Sequence, residues 1–260
     1  LTLLPVTIFM YRMQQGAPDP TLVFLPILLA TSASTLVGLL SVVAVQRLPL
    51  FSPVVLAYLL PVALALAGFM ALLTTLSAAA LAQLSSLLGN LTLFALVVLF
   101  VCVGAWRKVA VYEAFIDGAK EGFDVAKGLL PYLVAMLCAV GVFRASGALG
   151  YVLDAIRWCV EQLGMDALFV DALPTALVKP FSGSAARALL IETMQSQGVD
   201  SFAALVAATV QGSTETTFYV LAVYFGAVGI QRARHAVACA LLAELAGVVA
   251  AIVVCYRFFG

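Results

Sequence analysis

Apolar runs of helix length, separated by short polar turns, dominate the pattern of this chain. Residues 21–46, 54–76, 87–106 and 236–256 are each long enough to cross a hydrocarbon layer about 30 Å thick. Hydrophobic residues make up 64% of the 260 positions and charged residues only 10%, against about 25% charged residues in soluble domains. The pattern therefore predicts an all-α integral membrane protein, built as a helical bundle with several spans.

The segments between these spans have a different character. Residues 107–128 carry apolar and charged stripes at steps of three and four, which predicts an amphipathic helix at the interface or on the rim of the bundle. Residues 129–143 form a separate, short apolar segment. We expect a loop over residues 77–86 and a polar turn over residues 12–20, where two prolines prevent a continuous helix.

The C-terminal half contains helical segments that polar residues interrupt. The polar run 211–217 divides residues 202–230, and Pro180 and Gly183 punctuate residues 179–200. Short apolar segments joined at glycine, proline or polar residues are typical of broken or re-entrant helices, whose ends leave amides and carbonyls free for a ligand or ion. We therefore expect broken helices in this half of the chain.

Polar side chains at membrane depth must face protein, water or a ligand, because hydrocarbon offers no hydrogen bonds. Carboxylates can carry negative charge or a proton, the basic residues carry positive charge, and a glutamine amide can pair with another amide or a base edge. We expect one substrate site between the two interrupted segments; the alternative is an ion-pair network that only holds broken helices together. The candidate substrate-binding residues are Lys179, Ser182, Ser184, Arg187, Glu192, Gln211, Ser213, Thr214, Glu215 and Thr216.

Several other classes of chemistry have little support in the sequence. The net charge is zero, which does not indicate nucleic-acid binding. The five cysteines are scattered and are expected to act as small hydrophobic residues. With no nucleophile–base pair or metal-ligand pattern, we expect neither an enzyme nor a bound metal or cofactor. Residues 31–35 are expected to serve helix packing, and Glu244 either pairs with a neighbouring helix or serves the site.

Two parts of the chain share one plan, which suggests an inverted repeat. Residues 1–45 and 214–256 each contain an apolar stretch, a short turn with an arginine and a long span ended by an arginine. If Arg47 and the turn at residues 232–235 lie on one side of the membrane, the two copies have opposite orientation, as in many transporters. The chain also opens in the middle of an apolar pattern, so we expect it to be the later part of a longer protein.

Particular motifs resemble the spore maturation protein A/B family. Residues 115–123, 179–187 and 211–225 resemble spore maturation protein B, with a match over residues 87–259, and residues 1–45 are similar to the end of spore maturation protein A. The resemblance implies a B half fused to the end of an A half. We expect residues 1–50 to be A-like, 51–106 to be scaffold helices and 107–260 to form a nucleoside-recognition or gate domain.

The resemblance also implies a function. The family is grouped with gate domains of concentrative nucleoside transporters, where a Gln-Thr-Glu-type break contacts the base; Gln211, Thr214 and Glu215 match best, with different spacing. We expect a carrier in the plasma membrane or inner membrane, crossing it several times and moving a small polar solute, nucleoside-like or otherwise, with H⁺ or Na⁺. It would act as a homo-oligomer or with an A-type partner subunit. The alternative is a non-transporting membrane scaffold or gate subunit that acts with a partner.

Overall fold

The described part of the chain is helical and contains no strand. The computed structural model describes residues 4–47, 49, 60, 61, 64, 68, 69, 71–73, 75–162, 164, 166–230 and 232–260. The helices are α1 Val6–Gln14, α2 Phe24–Gln46, α3 Ala78–Trp106, α4 Val111–Ala145, α5 Ala148–Gln162, α6 Leu173–Val178, α7 Gly183–Gln197, α8 Phe202–Ser213, α9 Thr217–Ala227 and α10 Ala236–Phe259. Short 3-10 helices, Pro20–Val23 and Val170–Ala172, lead into α2 and α6.

Long apolar helices confirm that this is an all-α membrane protein. Within the described residues, three helices are long and apolar enough to cross a membrane: Pro20–Gln46, Ala78–Trp106 and Ala236–Phe259. They correspond to three of the four spans expected from the sequence. Most of the fourth, at residues 54–76, lies outside the described residues.

Helix α3 begins earlier than the sequence pattern indicates. The Ser77 side chain accepts a hydrogen bond from the Ala80 amide and caps the helix, so the loop expected over residues 77–86 is wrong. The polar Ser85 is accommodated because its hydroxyl donates to Leu22 O at 2.6 Å and accepts from the Leu25 amide at 2.9 Å. A contact with α2, distant in sequence, thus satisfies a residue that suggested a loop.

Helix α4 joins two segments that the sequence analysis separated. The amphipathic residues 107–128 and the apolar residues 129–143 lie largely on one helix, with Pro131 inside it. A proline removes its own amide hydrogen and crowds one carbonyl, which can kink a helix without ending it. The prediction that residues 129–143 form a separate segment is therefore wrong.

Arg12 belongs to α1 rather than to the polar turn that the sequence suggested. It is fully buried, and its guanidinium contacts Asp200 Oδ1 at 2.7 Å and Val199 O at 3.0 Å. Those two acceptors lie in the turn between α7 and α8. Arg12 therefore anchors the first helix of the chain beside the C-terminal half.

Helices α2 and α10 form a closely packed antiparallel pair. Gln46 Nε2 lies 3.0 Å from His235 Nε2, at the end of α2 and the start of α10. Further along the pair, a Cβ atom on Gly38 would lie 3.1 Å from Ala243 Cβ, and small residues of this kind let helix backbones approach closely. Arg47 and the turn before α10 consequently lie at the same end of the pair. The inverted repeat itself stays a prediction.

Candidate functional site

Two helix breaks lie directly against each other. The first break, residues 179–182, separates α6 from α7, and the second break, residues 214–216, separates α8 from α9. The Phe218 amide, at the start of α9, donates to Pro180 O at 3.1 Å. The rings of Phe181 and Phe218 stack with their centroids 5.2 Å apart. The two interrupted segments expected from the sequence therefore meet in space.

The first break is organised by its own residues. Ser182 Oγ accepts from the Ala185 amide at 3.2 Å and caps α7, and it lies 3.1 Å from Ser184 Oγ. Arg187 Nε donates to Gly183 O at 3.0 Å, one turn earlier on the same helix. Ser182 thus caps a helix, a structural role that the sequence alone does not distinguish from ligand binding.

Lys179 and Gln211 connect the two breaks. The buried Lys179 donates from Nζ to Gln211 O at 3.0 Å, which places a cation at the C-terminal end of α8, where the helix dipole is negative. Gln211 is also buried, and its Nε2 lies 3.5 Å from Gly183 O. Gln211 Oε1 has no hydrogen-bond partner among the described residues. A buried acceptor of this kind is available to a ligand.

The second break is narrower than the polar run 211–217 indicated. Gln211 and Ser213 belong to the last turn of α8. Ser213 Oγ and Thr214 Oγ1 both donate back to Val210 O, at 3.4 and 2.9 Å, and the Thr214 amide donates to the same carbonyl. These hydroxyl groups therefore find partners within the last turn of the helix, although the sequence there is polar.

A cavity of about 300 Å³ lies beside the two breaks; we call it the Lys179 cavity. The exposed Glu215 lies on it, and so do two residues of α1, which joins the N-terminal region to the site. The two α1 residues are Thr7 and Ile8. The other polar and glycine residues that line the cavity are Lys179, Gly183, Arg187, Gln211, Gly212, Glu215 and Thr216. Gln211 and Glu215 therefore both border a cavity, as a binding site requires.

A second cavity, the Glu244 cavity, has a volume of about 290 Å³. Glu215 borders this cavity as well, so it stands between the two. Thr217 Oγ1 donates to Glu244 Oε2 at 2.8 Å, which links α9 to α10. The polar side chains that border it are Thr31, Ser34, Thr35, Ser213, Glu215, Thr217 and Glu244.

Sequence reasoning left five of these side chains out of the site. It assigned Thr31, Ser34 and Thr35 to helix packing, left Glu244 open and did not include Thr217 among the candidates. Ser34 does serve helix packing, because a Cβ atom on Gly247 would lie 3.1 Å from Ser34 Cβ. Thr31, Ser34 and Thr35 also border the cavity. The sequence contained a signal for Thr31, Ser34, Thr35 and Glu244: a cluster of hydroxyl residues in one apolar span and a single carboxylate in another.

Glu192 lies apart from the other candidate residues. It is half-buried on α7, roughly three turns and about 15 Å along the helix from Ser182. It borders neither the Lys179 cavity nor the Glu244 cavity. Helix α4 packs against this helix. The contribution expected from Glu192 to substrate binding stays a prediction.

A known protein family matches the part of the chain that contains the two breaks. The profile of the Gate family, described as nucleoside recognition, matches residues 126–231, which include both breaks. The chain is therefore a membrane protein with a nucleoside-recognition domain. It is 45% identical to spore maturation protein B of Bacillus subtilis (strain 168) over 157 residues, which are 60% of this chain and 86% of that protein. No solved structure matches the chain. The chain belongs to the spore maturation protein B family; its fusion to an A-like segment stays a prediction.

Proposed function

We propose that this protein is a membrane carrier that binds a small polar, nucleoside-like solute in the Lys179 cavity. The observation that carries this proposal is Gln211, which is buried beside the cavity and whose Oε1 has no partner among the described residues. An unsatisfied buried acceptor costs about 1–3 kcal/mol. A ligand with an N–H group, such as a base edge, offsets that cost on binding.

The other groups of the Lys179 cavity suit a polar solute. Arg187 and Lys179 are donors, Glu215 is an acceptor when ionised, and the Thr216 hydroxyl is both. The volume of about 300 Å³ lies at the lower end of the roughly 300–1,000 Å³ range of ligand pockets. This size favours a small molecule over a peptide or polymer.

The solute can approach the Lys179 cavity from the other side of Glu215, where the Glu244 cavity lies. A groove of about 1190 Å³, the basic vestibule, is bordered by Arg232, Arg234 and His235. It shares Ser34 and Thr35 with the Glu244 cavity, so the two spaces adjoin. We propose that a movement of α9 against the first break opens the Lys179 cavity toward this path, with H⁺ or Na⁺ as the coupling ion.

The setting of the carrier is also part of this proposal. The three apolar helices support a protein that crosses the plasma membrane, or the inner membrane of a two-membrane cell, several times. Helix α3 exposes Phe94, Phe100 and Trp106, a surface suited to lipid, to a second copy or to an A-type partner subunit. We propose no enzymatic reaction for the site, because transport requires only binding and a change of access.

A second candidate function follows from the bonds between the breaks. Lys179 to Gln211 O and Phe218 to Pro180 O join the two breaks without any ligand. Such a network also suits a non-transporting scaffold or gate subunit whose broken helices only need to stay together. Binding experiments separate this candidate from the carrier.

The first experiment measures ligand-dependent thermal unfolding of the whole purified chain in detergent micelles. Nucleosides, nucleobases and small dicarboxylates serve as probes, and a nucleoside at 100 times its Kd should stabilise the fold by about 2.7 kcal/mol. Gln211→Ala should abolish that gain. Asn90→Ala, which removes an exposed amide on α3, is the matched control and should retain it.

Uptake of the stabilising nucleoside into proteoliposomes then distinguishes carrier from scaffold. The carrier predicts uptake that Gln211→Ala and Glu215→Gln reduce about tenfold or more, as expected when binding groups worth about 1.4 kcal/mol are lost. Binding without uptake would favour the gate subunit. Wild-type uptake by both variants would remove the Lys179 cavity from the mechanism.

A further inference from the structure

The Glu244 cavity contains two buried polar atoms that the solute site does not use. Glu244 is 6% exposed; its Oε2 accepts from Thr217, whereas its Oε1 has no partner among the described residues. Thr31 is 3% exposed, and its Oγ1 likewise has no partner there. The two residues come from different helices, α10 and α2, and border the same cavity. Two residues of one cavity therefore each have a buried oxygen that a bound ligand can satisfy.

The chemistry of the lining indicates what that ligand is. Among the described residues, every polar side chain on the Glu244 cavity carries oxygen, and no lysine, arginine or histidine borders it. The nearby Lys179 donates instead to Gln211 O. A buried carboxylate without a neutralising partner is costly, and oxygen-only sites suit hard cations. The cavity therefore fits a small cation rather than an anion or a base.

The volume of the cavity is large enough for a metal cation. The space measures about 290 Å³. A water molecule takes up about 30 Å³ in the liquid, so the cavity has room for a cation with part of its hydration shell. Among the described residues that border it, Glu244 is the one buried carboxylate, because Glu215 is exposed. A single buried negative charge suits a monovalent ion better than a divalent one.

We propose that a sodium ion binds in the Glu244 cavity, with Glu244 and Thr31 as ligands and the hydroxyls of Ser34, Thr35 and Ser213 in contact directly or through water. The bound ion joins α2 to α10, and through the Thr217–Glu244 hydrogen bond it also holds the first residue of α9. Sodium binding stands on this geometry alone. Its coupling to solute binding, through Glu215 between the two cavities, rests on the proposed function.

The test is thermal unfolding of the whole chain in detergent micelles, with sodium chloride replaced stepwise by choline chloride at constant ionic strength and pH. Sodium should raise Tm in a saturable manner, and choline should not. Glu244→Gln should abolish this response. Thr31→Val should weaken the apparent sodium affinity about tenfold or more, the scale of effect seen for groups that support a bound metal.

Thr31→Val is the decisive variant because it removes a hydroxyl that makes no hydrogen bond to any described residue. In choline chloride it should be as stable as the parent chain, so a lost sodium response cannot be a folding defect. The matched control is Thr92→Val on α3, whose hydroxyl donates to Leu88 O; it should keep the full sodium response.

Three outcomes would overturn the sodium site. One is an equal response of the parent chain to sodium and choline, and the second is an unchanged sodium response in both Thr31→Val and Glu244→Gln. The third is stabilisation that depends on pH alone, which would indicate a proton. Gln211→Ala should retain the sodium response because Gln211 does not border this cavity. A failure of solute binding is thereby distinguished from a failure of sodium binding.

Discussion

The two helix breaks differ in how the helix that follows each break begins. After the first break the contacts are local: Ser182 caps α7 through the Ala185 amide, and Arg187 donates to Gly183 O. In the second break Thr216 stands at the cap position of α9 but caps no amide with its side chain. The start of α9 depends instead on Pro180 O, through the amide of Phe218.

This difference indicates which break can change shape. Contacts within one turn form together with the helix, so the start of α7 should change little when α9 moves. On either side of the second break, Gln211 O accepts from Lys179 and the Phe218 amide donates to Pro180 O. Thr217 donates to Glu244. All these partners are far away in sequence. A ligand or ion that competes for those partners can move α9. The mobile half of the site is therefore expected on the α9 side.

The largest effect is expected from Lys179→Met, which removes the donor that joins the two breaks. Gln211 O loses its charged partner at the end of α8, and hydrogen bonds to charged groups contribute about 1.5–3 kcal/mol. We expect a loss of about 2–3 kcal/mol in the free energy of unfolding, measured by dodecyl sulfate titration of mixed micelles. Lys120→Met, at an exposed lysine paired with Asp117, is the control and should change little. Equal losses in both variants would show that Lys179 does not join the breaks.

A smaller effect is expected from Gly183→Ala, where the two breaks touch. A Cβ atom there would lie 2.7 Å from Thr216 Oγ1, too close for contact, so one break must shift at a cost of about 1–2 kcal/mol. Adding Thr216→Ala should recover most of the loss in the same titration. Gly118→Ala on α4 meets no atom within 4 Å and should be neutral or stabilising by up to about 1 kcal/mol. No recovery in the double variant would refute the contact.

The smallest effects are expected from substitutions at the two helix cap positions, Ser182 and Thr216. Ser182→Ala removes a serine cap and should cost about 1 kcal/mol. Thr216→Val should cost less, because that hydroxyl caps no amide of α9. The same micelle titration measures both variants. If Thr216→Val proved the more damaging change, the second break would have a local cap and the contrast between the breaks would fail.

The sequence allowed prediction of the first break better than of the site around it. Pro180 and Gly183 signal an interruption through their own backbone properties, and Ser182 is a common helix cap. Two other predictions from local pattern were wrong: the loop over residues 77–86 and the separate segment over residues 129–143. Ser85 and Pro131, which belong to these segments, lie within helices. In the case of Ser85 the deciding partners are backbone groups of α2, which no local pattern reveals.

By itself, the sequence determined that this is a helical membrane protein and that its C-terminal half contains broken helices. Those features follow from the length of apolar runs and from the backbone chemistry of proline, glycine and serine, which act within a few residues. Only the tertiary structure decided that Thr31 and Glu244 border one cavity with Glu215. Residues so far apart in the chain meet because small side chains let α2 and α10 pack closely, and that packing is a property of both helices together.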